Sequence, residues 1–172
     1  AARHARQSAL SVDLHGAAKT FAEAGGHLQS PVSPAAAKQQ ASDWLVELQQ
    51  GDAAWGVLRL VLSDAGQSDA TKWLAATVLS NKLREAGDVL AAVERQQLMG
   101  DVLGYLAASV QSSPPRGTPL TVAACRVAAC GGASGVAALI EEAAKCLGEG
   151  EAMLAVLAAI PEEWAARGGE GE

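Results

Sequence analysis

Apolar residues recur along most of this chain at intervals of three and four, the period of an α-helix buried on one face. Leu10, Leu14, Ala17 and Phe21 start the pattern and predict a first helix over about 8–24, stopped by Gly25-Gly26. Ser33-Pro34 opens the next, with serine as cap and proline in the first helical position. That second helix runs to about Gln50 and turns Ala41, Trp44, Leu45 and Leu48 inward. Gly51-Asp52 breaks and recaps the chain. A third helix over about 53–64 buries Trp55, Leu58, Val61 and Leu62. The turn Ala65-Gly66-Gln67 leads to a Ser68 cap and a fourth helix to about Arg84, with Trp73, Leu74, Val78 and Leu79 as its core.

Gly87 and Asp88 mark the next boundary. The fifth helix, about 91–111, carries Met99, Val102, Leu103, Leu106 and Val110 on one face. The loop Gln111–Gly117 follows, and Thr118-Pro119 repeats the cap-plus-proline signal for a sixth helix over about 119–130. Gly131-Gly132 ends it, and Ser134 caps a seventh over about 134–147. Gly148 separates that from an eighth, about 150–160, with Met153, Leu154, Leu157 and Ile160 inward and Pro161 closing it. The second helix of each successive pair begins near 34, 68, 119 and 150. This brackets the period of about 40–47 residues of HEAT and armadillo units. The expected fold is all-α, an α-α superhelix of about four helix pairs, because no single pair can bury its apolar face alone. A single segment structured over about 8–164 is expected, with a flexible tail at 165–172. The chain has no initiator methionine and ends in GGEGE, which suggests a piece of a longer solenoid.

Composition supports helices: 49% of residues are hydrophobic and only 3% aromatic, so alanine, the best helix former, dominates the apolar set. The net charge of −6 argues against direct nucleic-acid binding, which needs a basic surface. The longest clean apolar run, Ala152 to Ile160, is too short to cross a membrane. Residues 1–7 are too short to read as a targeting peptide. Cys125, Cys130 and Cys146 are an odd number without C-x-x-C spacing, against both a disulfide framework and a zinc site. His4, His15 and His27 lie far apart, and neither a metal site nor a catalytic residue is expected. The sequence contains no phosphate-loop or nucleophile-elbow motif, so no cofactor is expected.

Three segments carry a family resemblance: KQQASDWLVELQQGDAAW, TKWLAATVLSNKL and EAMLAVLAAIPEEW, in that order over about residues 8–164. The chain resembles the amino-terminal region of importin-β-family nuclear transport receptors, and most of all the transportin-SR branch with its importin-thirteen relatives. It departs from them in the longer glycine-rich segment before Ser33 and in the short sixth helix. The resemblance implies HEAT repeats whose inner helices bind the GTP form of the small GTPase Ran. It also implies protein cargo, Arg-Ser-rich in this branch, passage through pores lined by nucleoporins, and shuttling between cytoplasm and nucleus. On this reading the contacts to Ran would come from Gln40, Asp43 and Glu47 of the second helix. Thr77, Asn81 and Lys82 of the fourth and Arg126 of the sixth would complete them. The plainer reading of the same polar positions is a solvated helix face; for Lys82 it is a favourable charge at a helix end, and for Arg126 a side chain snorkelling from a tight helix pair. Glu141, Glu142, Glu149, Glu151, Glu162 and Glu163 would steer basic cargo or simply be solvated, with Glu141 and Lys145 an i,i+4 pair. A HEAT or armadillo scaffold outside nuclear transport is the alternative. An all-α enzyme would require a pocket bringing His15 or His27 to carboxylates.

Overall fold

A computed structural model describes residues 13–109 and 119–167. Eight α-helices and no strand occur among the described residues: α1 (Leu14–Gln29), α2 (Ala35–Gln50), α3 (Ala53–Ser63), α4 (Asp69–Ala86), α5 (Ala92–Ser109), α6 (Pro119–Ala129), α7 (Gly132–Leu147) and α8 (Glu151–Ala166). They pack as two compact units, one ending at Lys72 and one starting at Trp73. Leu10, the loop Gln111–Gly117, Val110 and the end of the chain from Gly168 lie outside the described residues.

In the first unit α1 packs against both α2 and α3. Phe21, Ala24 and Gly25 of α1, Ala41 and Leu45 of α2, and Val57, Leu58 and Val61 of α3 form its core. Asp13 caps α1, its carboxylate accepting the Gly16 N–H at 2.9 Å. The helix does not stop at Gly25-Gly26 as the sequence suggested. Each glycine costs a helix about 1 kcal/mol against alanine, but Gly25 is buried beside Phe21 and Ala24, and packing outweighs propensity. At α2, Pro34 occupies the cap position and Ser33 makes no cap bond; its hydroxyl lies 3.3 Å from His27 Nδ1 instead. Asp52 likewise makes no side-chain cap bond to α3. Between α3 and α4, Asp64 accepts the Gly66 N–H at 2.8 Å and the Gln67 amide at 3.0 Å. These bonds, the Gly66 one foremost, hold its carboxyl below the usual range. Ser68 caps α4 as expected, accepting the Thr71 N–H at 3.1 Å.

The second unit shows the layering of helical repeats. Consecutive helices α5, α6, α7 and α8 pack on one another, and so do the alternate ones, α5 on α7 and α6 on α8. Like helices therefore stack in two layers, the packing of an all-α helical repeat. The interior of this unit is α6, where Leu120, Thr121, Ala123, Ala124, Cys125, Val127 and Ala128 are all buried. The α6–α7 turn depends on glycine. Gly132 has φ +66, and a Cβ on Gly135 would come within 2.2 Å of the Ala128 carbonyl oxygen. Helix α7 therefore starts at Gly132, two residues before the expected Ser134 cap, and Ser134 instead donates to the Gly131 carbonyl at 3.0 Å.

Helix α8 departs furthest from expectation. Pro161 sits inside it rather than ending it. A proline deprives the turn of one hydrogen bond, but residues beyond it are held by contacts described below, and the helix continues to Ala166. Residues 165 and 166, expected in a flexible tail, are thus helical. The inward face is also different. Ala152 and Val156 are buried, whereas Leu154 is 67% exposed and Leu157 39%. Small side chains allow α8 to lie close on the small-residue helix α6, and the leucines are left on the other side.

Candidate protein-interaction surface

The polar stripe of α2 lies where the sequence placed it. Gln40, Asp43 and Glu47 are exposed, while Leu45 on the opposite face is buried and Trp44 and Leu48 are half-buried. The stripe is internally ordered: the Gln39 amide donates to Asp43 Oδ1 at 2.8 Å, one turn apart. Trp55 on α3 is half-buried.

Helix α4 reverses two expectations. Trp73, predicted as core, is 60% exposed, and Lys82, predicted at the surface, is 3% exposed. At about 100° per residue, Trp73 and Lys82 point to opposite sides of the helix. Val78 and Leu79 share the side of Lys82 and are buried with it, and Leu83, on the flank next to Leu79, is buried as well. Leu74 lies between the two faces and is half-buried. Trp73 lies instead with Thr77, whose hydroxyl donates to the Trp73 carbonyl at 2.9 Å. Thr77 and Asn81 are half-buried.

Arg126 was expected to leave α6 for a partner. In the structure it is engaged internally and ties three helices together. Its Nε donates to Glu163 Oε2 on α8 at 2.7 Å, with Nη2 3.4 Å from Oε1. Its Nη1 donates to both the carbonyl and the hydroxyl of Ser80 on α4, each at 2.8 Å. Both charged side chains are less than one-fifth exposed, so the planar guanidinium works as a two-sided fork, the geometry that suits arginine to partly buried ion pairs. A second arginine repeats the tie: Arg167 pairs with Asp88 and donates to the Leu83 carbonyl at 3.1 Å, where a cation suits the C-terminal end of α4. These two clamps hold the last turns of α8 beyond Pro161. Sequence reasoning missed Glu163 and Arg167 as clamp residues. The only signal was that a lone arginine in an alanine-rich helix needs an acceptor.

Burial sorts the cysteines. Cys125 is buried, its thiol 3.6 Å from the Val156 carbonyl, and burial, aided by the nearby Glu163 charge, pushes its pKa up to about 12. Burial also raises Cys130, while Cys146 is exposed. The acidic run forms an i,i+3 pair, Glu142 with Lys145 at 3.1 Å, instead of the expected i,i+4 pair. Two clefts of about 200 and 230 Å³ lie along α5 and α7; they share Gln96, Met99 and Ala138, and neither contains a histidine. No group of three or more His, Cys, Asp or Glu side chains among the described residues could hold a metal ion. No helix among them is long and apolar enough to cross a membrane. No protein-family model, no curated protein and no solved structure matches this chain.

Proposed function

We propose that this chain is a protein-binding helical-repeat segment, and that it serves as the Ran-GTP-binding amino-terminal part of an importin-β-type transport receptor. The observation that supports this reading is the two-layer stacking of α5 on α7 and of α6 on α8, in a chain whose helices follow one another in pairs with α2, α4, α6 and α8 as the second members in sequence order. These are the helices that the resemblance assigns to Ran. The exposed stripe Gln40, Asp43 and Glu47 would make the contact on α2, and Thr77 and Asn81 would make it on α4. Such a module works by binding rather than by chemistry. Ran-GTP would favour a conformation that cannot hold cargo, coupling the two ligands negatively. Basic, Arg-Ser-rich cargo, nucleoporins, and shuttling between cytoplasm and nucleus belong to the same proposal.

A pulldown with Ran loaded with GTP or GDP tests it. Selective retention of the GTP form, weakened by charge reversal at Asp43 and Glu47, is the expected result. Equal retention of both forms, or none by a chain with native helicity, overturns it. One observation favours a scaffold outside nuclear transport: Lys82 is buried and Arg126 is clamped to Glu163 and Ser80, so two residues of the expected contact set serve the interior instead. A folded chain that ignores Ran yet captures a different, reproducible protein partner would establish that alternative.

A further inference from the structure

The loop between α1 and α2 repeats one dipeptide, Ser30-Pro31 and Ser33-Pro34, with Val32 between the two. The Ser33 N–H donates to the Ser30 carbonyl at 3.5 Å and closes a turn around Pro31. Pro31, Val32 and Pro34 are exposed, Val32 by 88%. A serine followed by proline in an exposed loop is what a proline-directed protein kinase requires. Proline has no N–H, so it suits a kinase pocket that offers that position no acceptor. The residue before a proline is itself confined to extended backbone, the form in which a kinase cleft takes its substrate. We propose that Ser33 is a phosphorylation site for a proline-directed serine kinase, and that its phosphate caps α2 and ties it to α1.

The surroundings select Ser33 over Ser30. The Ser33 hydroxyl lies 3.3 Å from His27 Nδ1, in the last turn of α1. The imidazolium form of that ring would donate to a phosphate on Ser33, a charge-assisted bond joining the two helices. Ser33 also stands directly before α2, whose first turn has neither a side-chain cap nor an acidic residue. Pro34 holds the cap position there, and its side chain has no oxygen to offer. A phosphate extends the Ser33 hydroxyl by two bonds and brings anionic oxygens to the positive end of α2. Ser30 has the opposite setting. It is the C-terminal cap of α1, its N–H bound to the Gly26 carbonyl at 3.0 Å. A phosphate at Ser30 meets the negative end of that helix and is repelled. The reaction is phosphoryl transfer from ATP. Ser33 Oγ bonds to the γ-phosphorus as the bond from that phosphorus to the β-phosphate oxygen breaks. ADP leaves, and the hydroxyl proton passes to the catalytic carboxylate of the kinase.

Two measurements check this. In the first, the folded chain is incubated with ATP and a purified mitogen-activated protein kinase, and in parallel with a cyclin-dependent kinase, and the products are mapped by mass spectrometry. Phosphate should enter at Ser33 faster than at Ser30, and Ser30→Ala should leave the rate at Ser33 unchanged. In the second, phosphoserine is placed at position 33 or at position 30 during translation, so that no kinase is needed. At 33 it should raise the midpoint of thermal unfolding by about 3 °C, and at 30 it should lower it. The ring resonances of His27 should move with phosphate at 33, and His27→Ala should remove part of the gain in stability. A Ser33 left unmodified by both kinases overturns the proposal, as does a phosphate at 33 that fails to raise the midpoint or acts like one at 30. Ran retention does not enter these readouts, so the phosphorylation site and the transport reading stand or fall separately.

Discussion

Helices α6 and α8 are both rich in alanine and both belong to the same layer, yet they end in different environments. In α6, seven of eleven residues are buried; in α8 only Ala152 and Val156 are. Composition does not account for this, since α8 carries the larger apolar side chains. The cause is the number of neighbours. Helix α6 packs against α5, α7 and α8, whereas α8 packs against α6 and α7; an arginine ties each of them to α4, Arg126 from α6 and Arg167 from the end of α8. In stacked repeats a residue is buried by the layers on either side of it, so a helix covered on one flank keeps an open apolar face whatever its sequence. The two arginine clamps fit this picture. They hold α8 by polar contacts where its apolar burial is thin.

The comparison breaks most severely at the clamp. Arg126→Ala should destabilise the fold by about 3 kcal/mol, because it removes the fork and leaves Glu163 partly buried without its partner. Thermal unfolding followed by circular dichroism measures this, and amide exchange should speed up first in the last turns of α8. A matched pair of substitutions sharpens the contrast. Ala124→Leu in α6 adds volume to a site with no exposure and should cost about 2 kcal/mol. Ala158→Leu, at an exposed site in α8, should stay within about 0.5 kcal/mol of the parent. Equal effects would show that α6 is not the enclosed helix.

Thiol chemistry gives the gentlest probe. Alkylation of the native protein followed by mass spectrometry should label Cys146 first, then Cys130, and Cys125 last, following exposure and the raised thiol values. The sign of the linkage follows. Cys125 holds its proton in the folded chain up to about 12, whereas the unfolded thiol loses it near 9.0. Its contribution to stability is therefore complete below pH 9.0 and falls away as pH rises from there toward 12. Cys125→Ala should flatten that alkaline decline.

Within the candidate surface, the sequence placed the α2 stripe correctly, because a single polar face on an amphipathic helix is a local pattern. It misplaced both Trp73 and Lys82 for one reason. Residue type was weighed above angular position, although Val78, Leu79 and Leu83 already defined the inward side of α4. The clamp partners Glu163 and Arg167 lie 37 and 79 residues from Arg126 and Asp88, respectively. No local pattern connects residues so far apart.

By itself, then, the chain specified helices and most of their limits. The three-and-four recurrence, the Ser68 cap and the punctuation at Gly51, Gly87 and Gly148 are short-range signals, and backbone sterics act within a few residues. Packing alone decided that α1 runs through Gly25-Gly26 and α8 through Pro161, since burial and distant hydrogen bonds outweigh about 1 kcal/mol per glycine and the one bond a proline removes. It also decided which apolar face of α8 turns inward and which cations reach the interior. Those outcomes depend on neighbours brought together only once the helices have stacked.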